Sequence, residues 1–274
     1  MTLGGRTAWR GFAGMQERSW DSIQLQFAAS KGILPSMRIS TLCALYASLA
    51  ACSWLGLSLA ESPADPPALT TYQGRTIAQT MHWKGAPWLQ RREREEEEHG
   101  GVMRQQLEIK PGQTVCDLGS GDGYHTLWMA SVVGESGKVY AVDIQKEMLD
   151  MLEKRAAGRG YKNVIPVLGT PWDPKLPPQS QDLILLVDVY HEFSHPEHML
   201  RSMRAALKPT GRMVLVEFRS EDDKVPIKPE HKMSKEQMLK EILPMGFKLA
   251  KEFNELPWQH FMSFAKDETI APVK

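Results

Sequence analysis

Between Asp117 and Gly123 the chain reads Asp-Leu-Gly-Ser-Gly-Asp-Gly, so Gly119, Gly121 and Gly123 expose bare backbone between two carboxylates. A glycine loop at the end of a strand lets a nucleotide-like ligand lie against the main chain, because no side chain blocks its approach. The dinucleotide fingerprint wants a further glycine at position 124, and here that residue is Tyr124. Asp117 and Asp122 would repel a pyrophosphate but favour an ammonium or sulfonium cation. Asp143 ends the next apolar run, roughly 20 residues beyond the glycines, where an acidic residue accepts hydrogen bonds from a ribose diol. Strand, acid, three glycines, helix, strand and acid in that order describe a site for a cationic nucleoside.

A second constellation is His191-Glu192-Phe193-Ser194-His195, which matches H-E-x-x-H. In metalloproteases that spacing puts two histidines on one helix face around zinc, with the glutamate as base. Here the run follows directly on an apolar strand, and Pro196 disfavours helical backbone at His195 while suiting the first turn of the next helix. No third ligand is evident, so no metal site is assigned; a zinc hydrolase using His191, Glu192 and His195 is kept as the alternative reading. At the carboxyl end of its strand, the Tyr190–Phe193 run faces the ligand crevice of a parallel sheet. His191 is the candidate base for a protonated acceptor, with Glu192 orienting it.

These residues need a scaffold, and beyond residue 110 apolar runs alternate with amphipathic ones as in a parallel sheet covered by helices. Strands are predicted at 114–117, 138–142, 164–168, 182–187 and 213–218, and helices at 125–133, 145–157 and 196–207. Lys208-Pro209-Thr210-Gly211 reads as a turn, and Ser234 with Gln237 as a capping box for a helix up to Leu243. The run 182–187 is nearly continuously apolar, which is typical of a sheet centre. The last two strands, 247–253 and 261–265, are joined by a linker too short for a parallel crossover and should pair antiparallel.

Upstream, Met81-His82-Trp83-Lys84-Gly85-Ala86-Pro87-Trp88 is dense in aromatics and suggests a lid, within a helical segment expected over 71–110. Arg91 with Glu95 and Arg94 with Glu98 share a helix face, which reads as a solvated charged helix. Trp258-Gln259-His260 and the loop 225–229 could add walls to an apolar pocket.

The 274 residues carry 33 basic and 33 acidic side chains, so nothing draws the molecule to nucleic acid and a small-molecule partner fits better. Cys43, Cys52 and Cys116 show no C-x-x-C spacing, which argues against a disulfide framework or thiolate metal cage. Residues 39–60 are uncharged and largely apolar behind Met37-Arg38. They read as a signal peptide ending at Ala60, as a lipoprotein box around Cys52, or as a membrane anchor. On this reading residues 1–36 precede the true start, 61–70 form a proline-rich linker and 111–268 the catalytic domain. The expected location is the bacterial cell envelope, exported or membrane-associated through residues 39–60, with the cytoplasm as alternative.

Val115 to Tyr124, Val142-Asp143, Asp182 to Phe193 and Leu207 to Phe218 together resemble the class I S-adenosylmethionine-dependent methyltransferases, with the flavour of their ubiquinone/menaquinone branch. The resemblance covers roughly residues 75 to 266. It implies an α/β, Rossmann-like seven-stranded sheet, mostly parallel with an antiparallel last strand and helices on both faces. It implies that Asp117, Gly119, Gly121 and Gly123 hold the amino-acid part of S-adenosyl-L-methionine, Asp143 its ribose, and that Asp188 lies near the methionine end. Many relatives place an acidic residue after the glycine that follows the third strand; here Gly169 is followed by Thr170, which leaves Thr170, Trp172 and Asp173 as adenine candidates. A non-catalytic cofactor-binding module would share all these features.

Overall fold

The computed structural model describes residues 65–270. The export segment expected at 37–60, and the residues before it, lie outside the described residues. Within them no helix is long and apolar enough to cross a membrane.

Seven strands form the main sheet: β3 (Thr114–Leu118), β4 (Lys138–Asp143), β5 (Val164–Leu168), β6 (Gln181–Val187), β7 (Leu207–Phe218), β8 (Phe247–Phe253) and β9 (Gln259–Lys266). A two-residue-strand hairpin, β1 (Thr71–Tyr72) and β2 (Arg75–Thr76), stands apart from it. The order across the sheet is β5-β4-β3-β6-β7-β9-β8. All neighbours pair in parallel except β9, which runs antiparallel to both β7 and β8. The expected Rossmann-like topology, with its antiparallel last strand, is therefore present.

β6 lies at the middle of this order, and its apolar run has a direct cause. Leu183 and Leu185 face one core with Val115, Met129 and Val214, while Ile184 and Leu186 face another with Cys116, Met203 and Phe264. Side chains alternate faces along a strand, so burial on both faces demands apolar residues at every position. Each of the four is fully buried, a contribution of about 1.5–3 kcal/mol per side chain relative to exposure.

Helices α4 (Tyr124–Val133), α5 (Lys146–Gly158), α6 (Pro196–Ala206) and α7 (Lys235–Ile242) connect the strands. The Ser234 side chain accepts a hydrogen bond from the Gln237 amide at 3.0 Å, so the predicted cap forms. The chain winds outward from β3 to β5 and then returns to β6 on the other side of β3. This reversal sets the loops after β3 and β6 next to each other, since Asp117 pairs with Leu185 only three residues before Asp188. Ligands of open parallel sheets bind in the crevice at such a reversal.

Two local expectations need correction. Residues 208–211 belong to β7 rather than to a free turn, because Leu207 pairs with Gln181 before the register shifts, and a side chain at Gly211 would collide with the Gln181 carbonyl. Residues 71–76 form a hairpin instead of a helix. Gln73 and Gly74 both take positive φ, 47° and 99°, the backbone of the tight turn that matches strand twist. Helical structure starts with a 3-10 turn at Trp83–Gly85 and continues in α1 (Ala86–Leu89), α2 (Arg94–Glu98) and α3 (Gly100–Gln106).

Candidate functional site

The glycine loop is held open from three sides. Gly119 has φ +74°, and a Cβ on it would lie 2.4 Å from a methyl of Val189, so the loop after β3 can touch the loop after β6 only through glycine. The Gly121 amide donates to Asp143 at 2.9 Å, and the Gln145 amide donates to the other oxygen of the same carboxylate at 2.9 Å. Asp143 thus braces the loop, and each of its oxygens retains a lone pair for a ligand diol. The Thr126 hydroxyl donates to Asp117 at 2.6 Å. Burial pushes the Asp117 carboxyl up to about 6, against the pull of Thr126 and of the Arg94 guanidinium. Burial likewise raises Asp143.

Asp122 does not face the ligand as its position in the loop suggests. Arg155 binds its carboxylate at 2.6 Å and Gln90 at 2.8 Å, which neutralises it on the outer side of the loop. The negative charge beside the crevice comes from elsewhere. Asp188, at φ +54°, accepts from Gln259 through one oxygen at 2.7 Å, while its other oxygen is buried without a partner. Burial, together with the charges of Glu98 and Glu217, holds the Asp188 carboxyl well above the usual range. The Ser120 hydroxyl is a second buried polar group without a partner. At the crevice, such unpaired atoms are positions that a bound polar group would satisfy. An ammonium near Asp188 would satisfy that oxygen, so the residues present fit an amino-acid-bearing, cationic cofactor.

Arg94 and Glu98 depart from the expected solvated face. They pair at 2.7 Å with both side chains buried, and the Arg94 guanidinium also covers the Tyr124 ring at 4.1 Å and approaches His125 Nε2 at 3.3 Å. Arg91 pairs with Glu97 and Glu98, and Glu95 accepts instead from the Gly101 amide at 2.9 Å. The helical segment packs on the glycine loop, with Leu89 filling the space a Gly121 side chain would need. Met81 and Trp83 are tied to Gln145 by hydrogen bonds of 2.9 and 2.8 Å. The aromatic stretch is therefore fastened to Gln145 beyond β4, while the Trp88 ring stacks on Arg91 at the surface.

At the end of β6, the single turn Tyr190–Glu192 places His191 in a buried polar cluster. Its Nδ1 lies 2.6 Å from Glu217 Oε2, and its Nε2 lies 3.1 Å from His231 Nδ1. Glu217 also accepts from the Tyr190 amide at 2.8 Å. Burial works to lower the His191 pKa, but the charge and hydrogen bond of Glu217 more than offset it and the net shift is upward. The orienting carboxylate is thus Glu217 rather than Glu192. Glu192 faces the Thr80–Met81 segment, and burial raises its carboxyl to about 7. Behind the turn, Arg75 binds Glu241 through two nitrogens at 2.7 and 3.1 Å and the His191 carbonyl at 2.9 Å, so the hairpin clamps the turn against α7.

His195 is turned away from this cluster: Ser194 Oγ lies 2.9 Å from its Nδ1 and the Pro66 carbonyl 2.8 Å from its Nε2. The His191, Glu192 and His195 zinc set is therefore not assembled, because His195 starts α6 instead of continuing a helix from His191. Thr170 is engaged in its own tight turn, its hydroxyl accepting from the Asp173 amide at 3.0 Å. Trp172 packs edge-on against His195. Glu217 and His231 are site residues that no sequence motif assigned, whereas Gln259 stands in the stretch expected to wall the pocket. Glu217 had a visible signal, a lone carboxylate in the apolar run Met213–Phe218.

A family model described as a methyltransferase domain matches residues 109–267. Protein-L-isoaspartate O-methyltransferase of Methanococcus maripaludis is 39% identical over 69 residues, covering 25% of this chain and 32% of that protein. Ubiquinone/menaquinone biosynthesis C-methyltransferase of Escherichia fergusonii is 35% identical over 111 residues, 40% of this chain and 44% of that protein. The chain spans less than half the length of these curated relatives. A SAM dependent methyltransferase from Aquifex aeolicus shares the fold with a TM-score of 0.64 at 23% identity, covering 68% of this chain and 98% of its own.

Proposed function

The chain belongs to the class I S-adenosylmethionine-dependent methyltransferases, and from that premise we propose that it methylates a small-molecule acceptor whose nucleophilic atom carries a removable proton. The observation that carries this reading is the buried His191–Glu217 pair, 2.6 Å apart, at the strand end beside Asp188. When bound, S-adenosylmethionine supplies a methyl group on a cationic sulfur. Displacement at that carbon needs alignment and exclusion of water more than strong acid or base. The loop 117–123 would receive the amino-acid part, Asp188 its ammonium and Asp143 the ribose, with Thr170 the candidate for the adenine.

His191 Nε2 is the group to take the acceptor's proton. Glu217 keeps the imidazole oriented and stabilises its charge, and Glu192 acts on the same imidazole while held by Thr80 and Met81. A base that is 2% exposed suits a compact acceptor better than a folded macromolecule. The formal charge of zero supports the same reading. Residues 39–60 support a further proposal, that the enzyme is exported to or anchored in a bacterial envelope; mass analysis of the native amino terminus and cell fractionation test it.

The test of activity is calorimetric titration of the full chain with S-adenosylmethionine, followed by radiolabelled methyl transfer into a fractionated cell extract. Label in the low-molecular-mass fraction is expected. Label confined to protein would remove the small-molecule acceptor, and absence of cofactor binding would remove the whole reading.

A further inference from the structure

His191 and Glu192 come from the turn after β6, and His231 from the turn Pro229–His231 after β7. Their ligand-capable atoms all lie within 4.8 Å of one another. The 3.1 Å between His191 Nε2 and His231 Nδ1 is close to the separation of about 3.3 Å that two nitrogens adopt on one tetrahedral zinc ion with bonds of about 2.0–2.1 Å. The second histidine of this set is not the one that the H-E-x-x-H spacing offers. It stands 40 residues further on.

Three observations favour a cation at this point over a simple hydrogen bond between two rings. Glu217 on His191 Nδ1 favours the proton on that nitrogen and so leaves a lone pair on Nε2 for a cation, which is the outer-shell arrangement of metal-bound histidine. Charge is also unbalanced. Glu192 and Glu217 flank one imidazole, while the neighbouring guanidinium, Arg75, is bound to Glu241 and to the His191 carbonyl, and at His231 the charges of Glu230 and Lys228 oppose each other. Finally, His191 is buried whereas Glu192 and His231 are half-buried, so the cluster has one side open for a further ligand.

We propose that His191 Nε2, His231 Nδ1 and a Glu192 carboxylate oxygen hold a divalent ion of the zinc type, with Glu217 as outer-shell partner and a fourth position open to water or to the methyl acceptor. Two histidines, one carboxylate and an open position form the donor set of catalytic zinc sites. The assignment of the fourth position rests on the methyltransferase reading; the three protein ligands do not. With the ion in place, His191 acts as ligand, and lowering the acceptor's pKa passes from the imidazole to the metal.

The test starts from the full-length chain, stripped with chelator and titrated with zinc chloride by calorimetry, with elemental analysis after dialysis. Cobalt(II) replaces zinc in a parallel sample for its visible absorption. Stoichiometric zinc and a tetrahedral cobalt spectrum are expected. His231→Ala and Glu192→Gln should each weaken zinc binding by about 10-fold or more, whereas His195→Ala should leave it unchanged. Both informative substitutions fall on half-buried residues, and thermal melting of each variant verifies that it is folded. Substoichiometric zinc, or affinity insensitive to His231→Ala in a folded variant, overturns the site. S-adenosylmethionine titration of the same stripped samples separates the two readings: cofactor binding without zinc removes the metal alone, and zinc without cofactor binding removes the methyltransferase reading alone.

Discussion

Glu217 Oε2 lies 2.6 Å from His191 Nδ1 with both side chains buried, so the imidazole in the turn after β6 is set by a carboxylate on the neighbouring strand β7. Register makes the pairing inevitable once the sheet forms. Val187 pairs with Val216, which puts the turn after β6 beside the last residues of β7. Glu217→Gln keeps a hydrogen-bonding group but removes the charge. The expected result is methyl transfer reduced about 10- to 100-fold with a much smaller loss of S-adenosylmethionine affinity, read by turnover and calorimetry. Equal losses in both quantities would show that Glu217 supports the fold rather than the acceptor side.

Asp117 predicts a pH dependence of cofactor binding. Its carboxyl is raised to about 6, and a cationic ligand favours the ionised form. Affinity for S-adenosylmethionine should therefore rise as pH increases from about 5 to about 7 and level off above that. Titrations across this range should show the rise in the native chain, and Asp117→Asn should bind weakly and without it.

The same group makes the opposite prediction for stability. A folded-state value above the unfolded 3.8 means that the fold prefers the protonated acid. That contribution is complete below about 3.8 and is lost as pH rises through about 6. Asp117→Asn, neutral at every pH, should accordingly stabilise the ligand-free protein at pH 8, by about 1–3 kcal/mol, while weakening cofactor binding. Denaturant midpoints at pH 5 and pH 8 measure the difference, and a variant less stable at pH 8 would contradict it.

The glycine loop and the strand order were readable because their causes are local. A strand buried on both faces must be apolar throughout, and a loop touching Val189 must be glycine. The Ser234 cap and the terminal antiparallel pair follow from short-range rules of the same kind. The partners of His191 are not local, since Glu217 lies 26 residues away and His231 40. Adjacent Glu192 was the natural choice from sequence alone. Arg94 and Glu98 show a deeper ambiguity: an i,i+4 ion pair has the same spacing whether its helix faces water or packs on a glycine loop, and only the tertiary contact with Tyr124 and His125 decides. Asp122 misled for the same reason, because Arg155 reaches it from α5.

That buried pair supports the last prediction. Arg94 is the guanidinium nearest a group of carboxylates that includes Glu98, Asp117 and Asp188. Removing it leaves Glu98 with Arg91 alone, at 3.0 Å on its other oxygen, beside an already disfavoured Asp188. Breaking a buried pair from one side costs about 3–5 kcal/mol, whereas replacing both partners by apolar groups of similar size is often neutral. Arg94→Met should thus lower the denaturant midpoint strongly, and Arg94→Met combined with Glu98→Leu should recover most of the loss. The double variant would still lack one negative charge near the crevice, so its affinity for a cationic cofactor should fall below that of the native chain even where stability returns. Recovery of both stability and affinity would mean that Glu98 serves only to hold Arg94, and that the field at the crevice is set by Asp117 and Asp188 alone.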